Sequence, residues 1–94
     1  MIRSLKSRAL KRYWEKNDES GIRPDWIKRM KLILDALNAA TQPEDLKLPG
    51  LNFHPLKGDR AGEYAVKLSA NWRVTFRWSG QDAIDVNMEN YHGD

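Results

Sequence analysis

The sequence contains no cysteine, which excludes both disulfides and thiolate metal sites. Histidine is scarce as well, because only His54 and His92 are present. Two such residues supply too few ligands for a metal ion. A glycine-rich phosphate loop is also lacking, because the segment 57–60 does not have the glycine spacing of that motif. We therefore expect neither a metal nor a cofactor.

Long apolar runs are missing too. No stretch approaches the roughly 20 apolar residues that a membrane helix needs, and the first residues lack an apolar segment of signal-peptide length. Together with the absence of cysteine, this predicts a soluble protein of the cytoplasm that does not contact a membrane. The 94 residues suffice for one hydrophobic core, so residues 1–94 are interpreted as a single domain.

Positive charge is absent from the C-terminal end of the chain. Residues 78–94 contain four acidic residues and no Lys or Arg, whereas residues 1–31 contain ten Lys and Arg against four Asp and Glu. This asymmetry indicates a polyanionic partner, and nucleic acid is the polyanion that fits best. The alternative is that the N-terminal charges only solvate two amphipathic helices in a protein of pI about 9.3.

Two segments of the first half have helical spacing. From Ser7 onward, apolar residues recur on one helical face until the polar run 17–21, where Gly21 supplies a positive φ that ends the helix. The second helix begins at Pro24, which suits a first helical turn, and continues to about Ala40. Its core-facing side chains are Trp26, Met30, Ile33, Leu34 and Leu37. The short connection between the two predicts a helical hairpin.

The second half alternates between apolar and polar residues with a period of two, which predicts β-strands separated by turns. The predicted strands are residues 2–5, 51–53, 63–69, 72–78 and 84–88. The segment 51–53 is expected to deliver His54 at its end. The element order is β-α-α-β-β-β-β, an α+β fold in which the helical hairpin packs on a twisted, mainly antiparallel sheet of four to five strands.

The alternation sends the apolar side chains of the middle strands toward the helices and the basic ones to the opposite face. That face becomes a cation patch, with further basic residues in the loops at its rim. The residues concerned are Lys67, Arg73 and Arg77 on the strands and His54, Lys57 and Arg60 at the rim. The alternative is that the strand arginines keep an exposed sheet soluble, or that Arg73 lies over apolar surface between two tryptophans.

These residue types permit cleavage of an RNA phosphodiester without a metal. The reaction needs a base for the 2′-OH, an acid for the leaving 5′-oxygen and a cation at the phosphate. The candidates are His54, Lys57, Arg73, Tyr91 and His92. An imidazole, with its ordinary pKa of about 6.5, suits proton transfer at neutral pH. Taken singly, His54 also fits a loop histidine and Tyr91-His92 also fits an ordinary chain end.

Three motifs in register resemble the HigB branch of the RelE/ParE toxin superfamily, the bacterial plasmid-maintenance killer proteins. They are HPLKGDR at residues 54–60, ANWRVTF at residues 70–76 and the pair Tyr91-His92, and the resemblance extends over essentially the whole chain. It implies a RelE-like fold and a toxin of a type II toxin–antitoxin system. The implied activity is that of a ribosome-dependent mRNA endonuclease, which inhibits translation and arrests growth.

The resemblance also implies partners and roles. The partners are mRNA, the ribosome and a helix-turn-helix antitoxin of HigA type, with operator DNA bound only through the antitoxin complex. His92, or less favourably His54, exchanges protons with the 2′-OH and the 5′-oxygen. Lys57 and Arg73 hold the scissile phosphate, and Tyr91 positions the nucleotide. RNA binding is assigned to Arg60, Lys67, Arg77, Lys11 and Arg12.

Two positions depart from the family pattern. Asn90 stands where relatives usually carry an acidic residue, and Ser69 stands where some carry a basic one. Both changes predict a slower nuclease. Two other function classes stay open. ParE-type relatives share the fold but inhibit DNA gyrase by binding, although a pure binder does not need the terminal Tyr-His. A structural RNA-binding protein that never cleaves is the third.

Overall fold

The computed structural model describes residues 1–91, and within them two α-helices precede a four-stranded sheet. The helices are α1 (Arg8–Lys16) and α2 (Ile27–Ala39). The strands are β1 (His54–Pro55), β2 (Glu63–Lys67), β3 (Trp72–Ser79) and β4 (Asp82–Asn90). Short 3₁₀ turns lie at Pro24–Trp26, Pro43–Leu46 and Gly58–Arg60. Neither helix of the described chain has the length and apolar composition needed to cross a bilayer.

Helix α1 begins where its capping residue predicts. The Leu10 amide donates to Ser7 Oγ at 3.2 Å, which satisfies one free N–H of the first turn. The predicted end of this helix at the polar run 17–21 is confirmed, but the glycine of that run is not the residue that ends it. Asn17 instead takes the left-handed conformation, with φ 55°, and its amide donates to the Tyr13 carbonyl. Gly21 has another role, because a Cβ added there would lie 2.8 Å from the Cβ of Ala9.

Helix α2 follows its apolar pattern. Pro24 opens the 3₁₀ turn that leads into the helix, and the chain becomes extended at Ala40. The five side chains predicted to face the core are all buried, which confirms the interpretation of this segment. Helices α1 and α2 together line a groove of about 150 Å³, to which each contributes polar side chains.

The sheet has the strand order β1-β2-β3-β4, and every adjacent pair is antiparallel. The predicted N-terminal edge strand exists only as two isolated parallel bridges to β4, at Ile2–Ala83 and Leu5–Val86. Asp85 lies between the two bridges with φ 52°, which takes the backbone out of the extended conformation and interrupts the pairing. The predicted four to five mainly antiparallel strands are therefore confirmed.

The prediction of a strand at residues 51–53 was wrong. Asn52 has φ 54°, a left-handed conformation outside the extended range of a regular strand. The Leu51 carbonyl instead accepts from the Lys67 amide at 2.7 Å, while the Leu51 amide donates to Leu48. His54 consequently begins β1 rather than following it.

One apolar core lies between the helices and the sheet. Its fully buried members include Leu10, Met30, Ile33, Leu34, Leu37, Val66, Val74, Phe76 and Val86. Aromatic rings of the core and its surroundings pack on one another. Trp72 lies 5.2 Å from Trp26 and Tyr64 lies 5.7 Å from Phe76, measured between ring centroids. The alternation thus predicts correctly which sheet face meets the helices.

Candidate functional site

Strand pairing brings the candidate residues to the sheet face opposite the helices. His54 pairs with Ala65, which pairs with Thr75 of β3. In the neighbouring row Arg73 pairs with Glu89 of β4. Directly paired residues of antiparallel strands share a face. His54, Thr75, Arg73 and Glu89 therefore occupy one surface, which we call the site face.

Arg73 is buried in this face, with 7% of its surface exposed. Its Nη1 lies 3.0 Å from the Ser69 carbonyl oxygen and 3.1 Å from that of Trp72, and Ala70 contributes a longer contact of 3.4 Å. The guanidinium thus holds the turn between β2 and β3. The prediction of an exposed cation patch was wrong for Arg73, because these carbonyl oxygens give the side chain partners inside the protein. Lys67 and Arg77 are exposed as predicted.

Arg60 lies between two carboxylates. Its Nη1 and Nη2 donate to the two oxygens of Glu89 at 2.9 and 2.6 Å, while Nε and Nη2 donate to Glu63 at 3.1 and 2.8 Å. Thr75 Oγ1 donates to the same Glu89 at 2.5 Å. We call Arg60, Glu63, Glu89 and Thr75 the carboxylate cluster. Both arginine contacts are two-point forks, the strongest geometry for such a pair.

The hydrogen bonds set the ionisation of the carboxylate cluster. Those from Arg60 are the main cause that lowers the pKa of Glu63 and of Glu89 below the ordinary carboxyl value, whereas burial opposes the change. Thr75 lowers the pKa of Glu89 further. Glu63 and then Glu89 raise the pKa of Arg60. The cluster is therefore ionised at neutral pH, with two negative charges around one positive charge.

Tyr91 touches this cluster from the end of β4. The Arg60 Cζ lies 5.7 Å from the centroid of the Tyr91 ring, within the range of a cation–π contact. The Tyr91 amide donates to the Asn71 carbonyl at 2.9 Å. Two separate contacts therefore place this residue, one to its backbone and one to its ring.

His54 lies at the start of β1 on the same face. Its Nδ1 is 3.0 Å from the Asn52 carbonyl oxygen. A carbonyl oxygen only accepts, so a neutral imidazole here carries its proton on Nδ1 and has its basic nitrogen at Nε2. The loop before β1 is held by Arg29 of α2, whose side chain donates to the Gly50 carbonyl at 2.6 Å and to the Lys67 carbonyl at 2.8 Å.

The remaining predicted residues are distributed over the molecule. Lys57 is exposed and directly precedes the 3₁₀ turn that carries Arg60. Lys11 and Arg12 are exposed on α1, in the helical layer on the other side of the sheet. His92 lies outside the described residues. The structure thus brings His54, Arg73 and Tyr91 to the site face, while the α1 residues form a separate basic surface.

Sequence reasoning missed three polar residues of this face, Glu63, Thr75 and Glu89. The spacing of Arg60 and Glu63 is a weak local signal for an ion pair, whereas Glu89 is 29 residues away from Arg60 in sequence. Asn90 pairs with Trp72 and is exposed. Strand alternation therefore directs Asn90 away from the site face and Glu89 toward it.

Known proteins similar to this chain fall into one group. Residues 3–92 match a family model described as HigB-like toxin, the RelE-like toxin of type II toxin–antitoxin system HigB. The protein named Endoribonuclease HigB from Proteus vulgaris is 39% identical over 92 residues, which are 98% of this chain and 100% of that protein.

Solved structures agree on the fold. A YafQ mutant from E. coli superposes with a TM-score of 0.61 at 13% identity, covering 96% of this chain and 93% of that one. A YoeB/ParE toxin from Agrobacterium tumefaciens has a TM-score of 0.52 at 22% identity, covering 99% and 100%. At such low identity these likenesses establish the arrangement of two helices on an antiparallel sheet and nothing about activity.

Proposed function

The chain belongs to the HigB-like family of RelE-like toxins of type II toxin–antitoxin systems, and on that premise we propose that it is an endoribonuclease that cleaves mRNA and so inhibits translation. The relative that is 39% identical over its full length is named an endoribonuclease. This similarity favours cleavage over the inhibition of gyrase by binding and over RNA binding without cleavage.

One observation of the structure carries the proposal: the strand pairing that brings His54, Arg73 and Tyr91 to one sheet face. Cleavage through the 2′-OH needs proton transfer on two oxygens and positive charge at the phosphate. A histidine with a defined tautomer, a fixed guanidinium and a phenol on one surface are side chains of the kinds that the reaction requires.

The proposed mechanism assigns a role to each of these groups. His92 exchanges protons with the 2′-OH and the leaving 5′-oxygen, and His54 is the second candidate because its Nε2 is the basic nitrogen. Arg73 and Lys57 neutralise the scissile phosphate. The turn carbonyls accept hydrogen bonds from the Arg73 guanidinium and so orient it. Tyr91 positions the nucleotide or assists in the proton transfer.

Two basic surfaces would bind RNA during this reaction. On the sheet, the exposed Lys67 and Arg77 flank the site face. On α1, Lys11 and Arg12 lie in a shallow groove of about 320 Å³ whose other lining residues are mostly basic. We assign the sheet surface to mRNA and the α1 surface to ribosomal RNA, which makes cleavage ribosome-dependent through contacts to phosphates.

Membership of the family implies an antitoxin partner. We propose that this antitoxin is a helix-turn-helix protein of HigA type, that the toxin meets operator DNA only through the complex, and that both act in the cytoplasm. The reading frame beside the gene supplies a direct check, because a helix-turn-helix protein of roughly a hundred residues is expected there. A neighbouring frame of unrelated type would contradict this part of the proposal.

Translation of a reporter mRNA in vitro, with the products mapped by primer extension, tests the function. We expect cleavage only when ribosomes translate, and a loss of at least roughly a hundredfold in rate for His92→Gln and for Arg73→Ala. Lys47→Ala, which removes an exposed cation outside the site face, should cleave normally. Wild-type rates in both site variants would refute the assignment. Inhibition of gyrase supercoiling without mRNA cleavage would reverse the choice of function.

A further inference from the structure

The carboxylate cluster has no part in the reaction just described, although it lies on the same face. It includes the only cation of the segment 58–62, Arg60. Both edges of that guanidinium are engaged, one by Glu63 and one by Glu89. A phosphate that bound Arg60 would have to break a two-point fork and then lie beside two carboxylates. The two forks therefore disfavour the role in RNA binding that the motif predicts for Arg60.

The Glu89 carboxylate is held from inside the sheet. Thr75, which donates to it at 2.5 Å, is 1% exposed and lies on β3, between β2 and β4. A hydroxyl on a buried strand has little freedom to move, so it fixes one carboxylate oxygen in place. The same oxygen, Oε2, also accepts from Arg60 Nη2. The order of contacts runs from the strand through Glu89 to Arg60.

The chain of contacts ends at Tyr91. The Cζ of Arg60, whose guanidinium Glu89 holds through a two-point fork, lies 5.7 Å from the centre of the tyrosine ring. Tyr91 directly follows the last residue of β4 and is half-buried. The backbone bond to Asn71 places its Cα but not its ring. The contact with Arg60 therefore bears directly on the orientation of the ring.

We propose that Glu89 is a positioning residue, which holds Arg60 against the ring of Tyr91 and so determines where the Tyr91 hydroxyl meets the RNA. The inference rests on the proposed function, in which Tyr91 acts on the nucleotide. Neither Glu89 nor Arg60 touches the reacting atoms in this arrangement. Loss of the fork should therefore slow the cleavage step without weakening RNA binding.

The test follows the ring of Tyr91 directly. The chain has three tyrosines, so protein labelled with 3-fluorotyrosine gives three ¹⁹F signals, and Tyr91→Phe identifies the one from Tyr91. In Glu89→Gln we expect that signal to move toward the position of free fluorotyrosine, while the other two stay. In unlabelled protein the maximal cleavage rate on translating ribosomes should fall roughly ten- to a hundredfold, because small misplacements of reacting groups cost that much. The concentration of toxin required for half-maximal rate should not rise.

A matched control exists elsewhere in the chain. Asp25 accepts a two-point fork from Arg23, with both distances 3.1 Å, and Arg23 lies 5.0 Å from the centroid of the Trp26 ring. Asp25→Asn therefore removes the same kind of fork beside an aromatic ring, away from the site face. It should leave the Tyr91 signal and the cleavage rate unchanged.

A second pair of variants tests the support from the strand. Thr75→Val keeps the shape of the side chain but removes its donor, whereas Thr75→Ser keeps the hydroxyl. We expect Thr75→Val to shift the Tyr91 signal in the same direction as Glu89→Gln and to slow cleavage. Thr75→Ser should show a smaller shift and a smaller loss of cleavage rate. If Glu89→Gln disturbs all three signals, and so the whole fold, the Tyr91 signals of Thr75→Val and Thr75→Ser decide whether Glu89 positions the ring.

Two results would overturn the inference. One is a Tyr91 signal that stays in place in both Glu89→Gln and Thr75→Val. The other is a signal that moves while the cleavage rate stays at the wild-type value and Tyr91→Phe is slow. Wild-type cleavage by Tyr91→Phe would instead refute the proposed role of Tyr91, and the NMR signal would still report whether Glu89 positions the ring.

Discussion

Removal of the Glu89 charge should destabilise the protein by an amount that depends on pH. Glu89 accepts three hydrogen bonds, two from Arg60 and one from Thr75, and its side chain is 24% exposed. Hydrogen bonds to charged groups contribute about 1.5–3 kcal/mol net. Glutamine retains one oxygen that can accept, but its NH₂ group would face Arg60 or Thr75, which are themselves donors. We expect Glu89→Gln to lower the free energy of unfolding at pH 7 by about 1.5–3 kcal/mol.

The matched variant Asp25→Asn should cost much less. Its side chain is 61% exposed and accepts its fork from an arginine that is 64% exposed. Pairs of this kind contribute about 0–1 kcal/mol, because water screens them and the side chains lose freedom. Urea unfolding followed by circular dichroism should therefore separate the two variants by about 0.5–3 kcal/mol. The thermal midpoint of Glu89→Gln should fall by roughly 6–24 °C in a domain of this size.

The destabilisation by Glu89→Gln should change with pH in one direction. The hydrogen bonds from Arg60, and then that from Thr75, lower the pKa of Glu89 in the folded state. A carboxyl with a lowered folded pKa contributes stability above its unfolded pKa and loses it as pH falls through the folded pKa. The advantage of the wild type over Glu89→Gln should thus be full at pH 7 and shrink in acid. A gap that is the same at pH 7 and pH 3, or no larger than that of Asp25→Asn, would refute this reasoning.

Two further predictions concern the packing of α1 and its basic surface. Gly21→Ala should destabilise the protein by about 1–3 kcal/mol, because the new Cβ would lie 2.8 Å from the Cβ of Ala9; stabilisation in thermal unfolding, the usual result of such a change, would contradict the close approach. Replacement of Lys11 and Arg12 by Ala should weaken ribosome binding. The slope of log K for binding against log salt concentration should become smaller by roughly 1–2. An unchanged slope in a pelleting assay at several salt concentrations would show that α1 contacts no RNA phosphate.

Glu89 and Asn90 point to opposite faces of the sheet, and this bears on the amide that stands at position 90 where relatives usually carry an acidic residue. An amide at position 90 predicts a slower nuclease, and that remains a prediction. Strand pairing places Glu89 on the face of Arg73 and Asn90 opposite Trp72. The carboxylate of β4 that binds Arg60 beside Tyr91 is thus that of Glu89. Kinetics of Asn90→Asp would show how much an acid at the second position adds.

Much of the fold follows from local chemistry. The helix starts were predictable because Ser7 caps one helix through a hydrogen bond to a nearby amide, and Pro24, with its fixed φ, opens the turn that leads into the next. The buried face of the middle strands was predictable because side chains alternate along a strand. The family was predictable because three motifs occur in register, and the match over residues 3–92 confirms it. Each of these features depends on residues that are close in sequence or on the order of motifs along the chain.

The residue that ends α1 and the start of β1 were predicted wrongly for a common reason. An asparagine takes the left-handed conformation at both places, Asn17 and Asn52, where the pattern indicates a glycine or an extended chain. Asparagine adopts this conformation at small cost, but it also adopts ordinary conformations. The residue type alone therefore does not decide between them, and the packing of the surrounding chain does.

The sequence by itself determined the two layers, the strand faces and the family, because periodicity and motif order are properties of the chain. Only the tertiary structure decided the environment of each charge on the site face. Arg73 is buried against the carbonyls of its own turn, and Arg60 meets Glu89 from 29 residues away. Such pairings depend on the register of strands, and a shift by one residue would turn every side chain to the other face. Periodicity shows which residues share a face, whereas the register decides which of them meet.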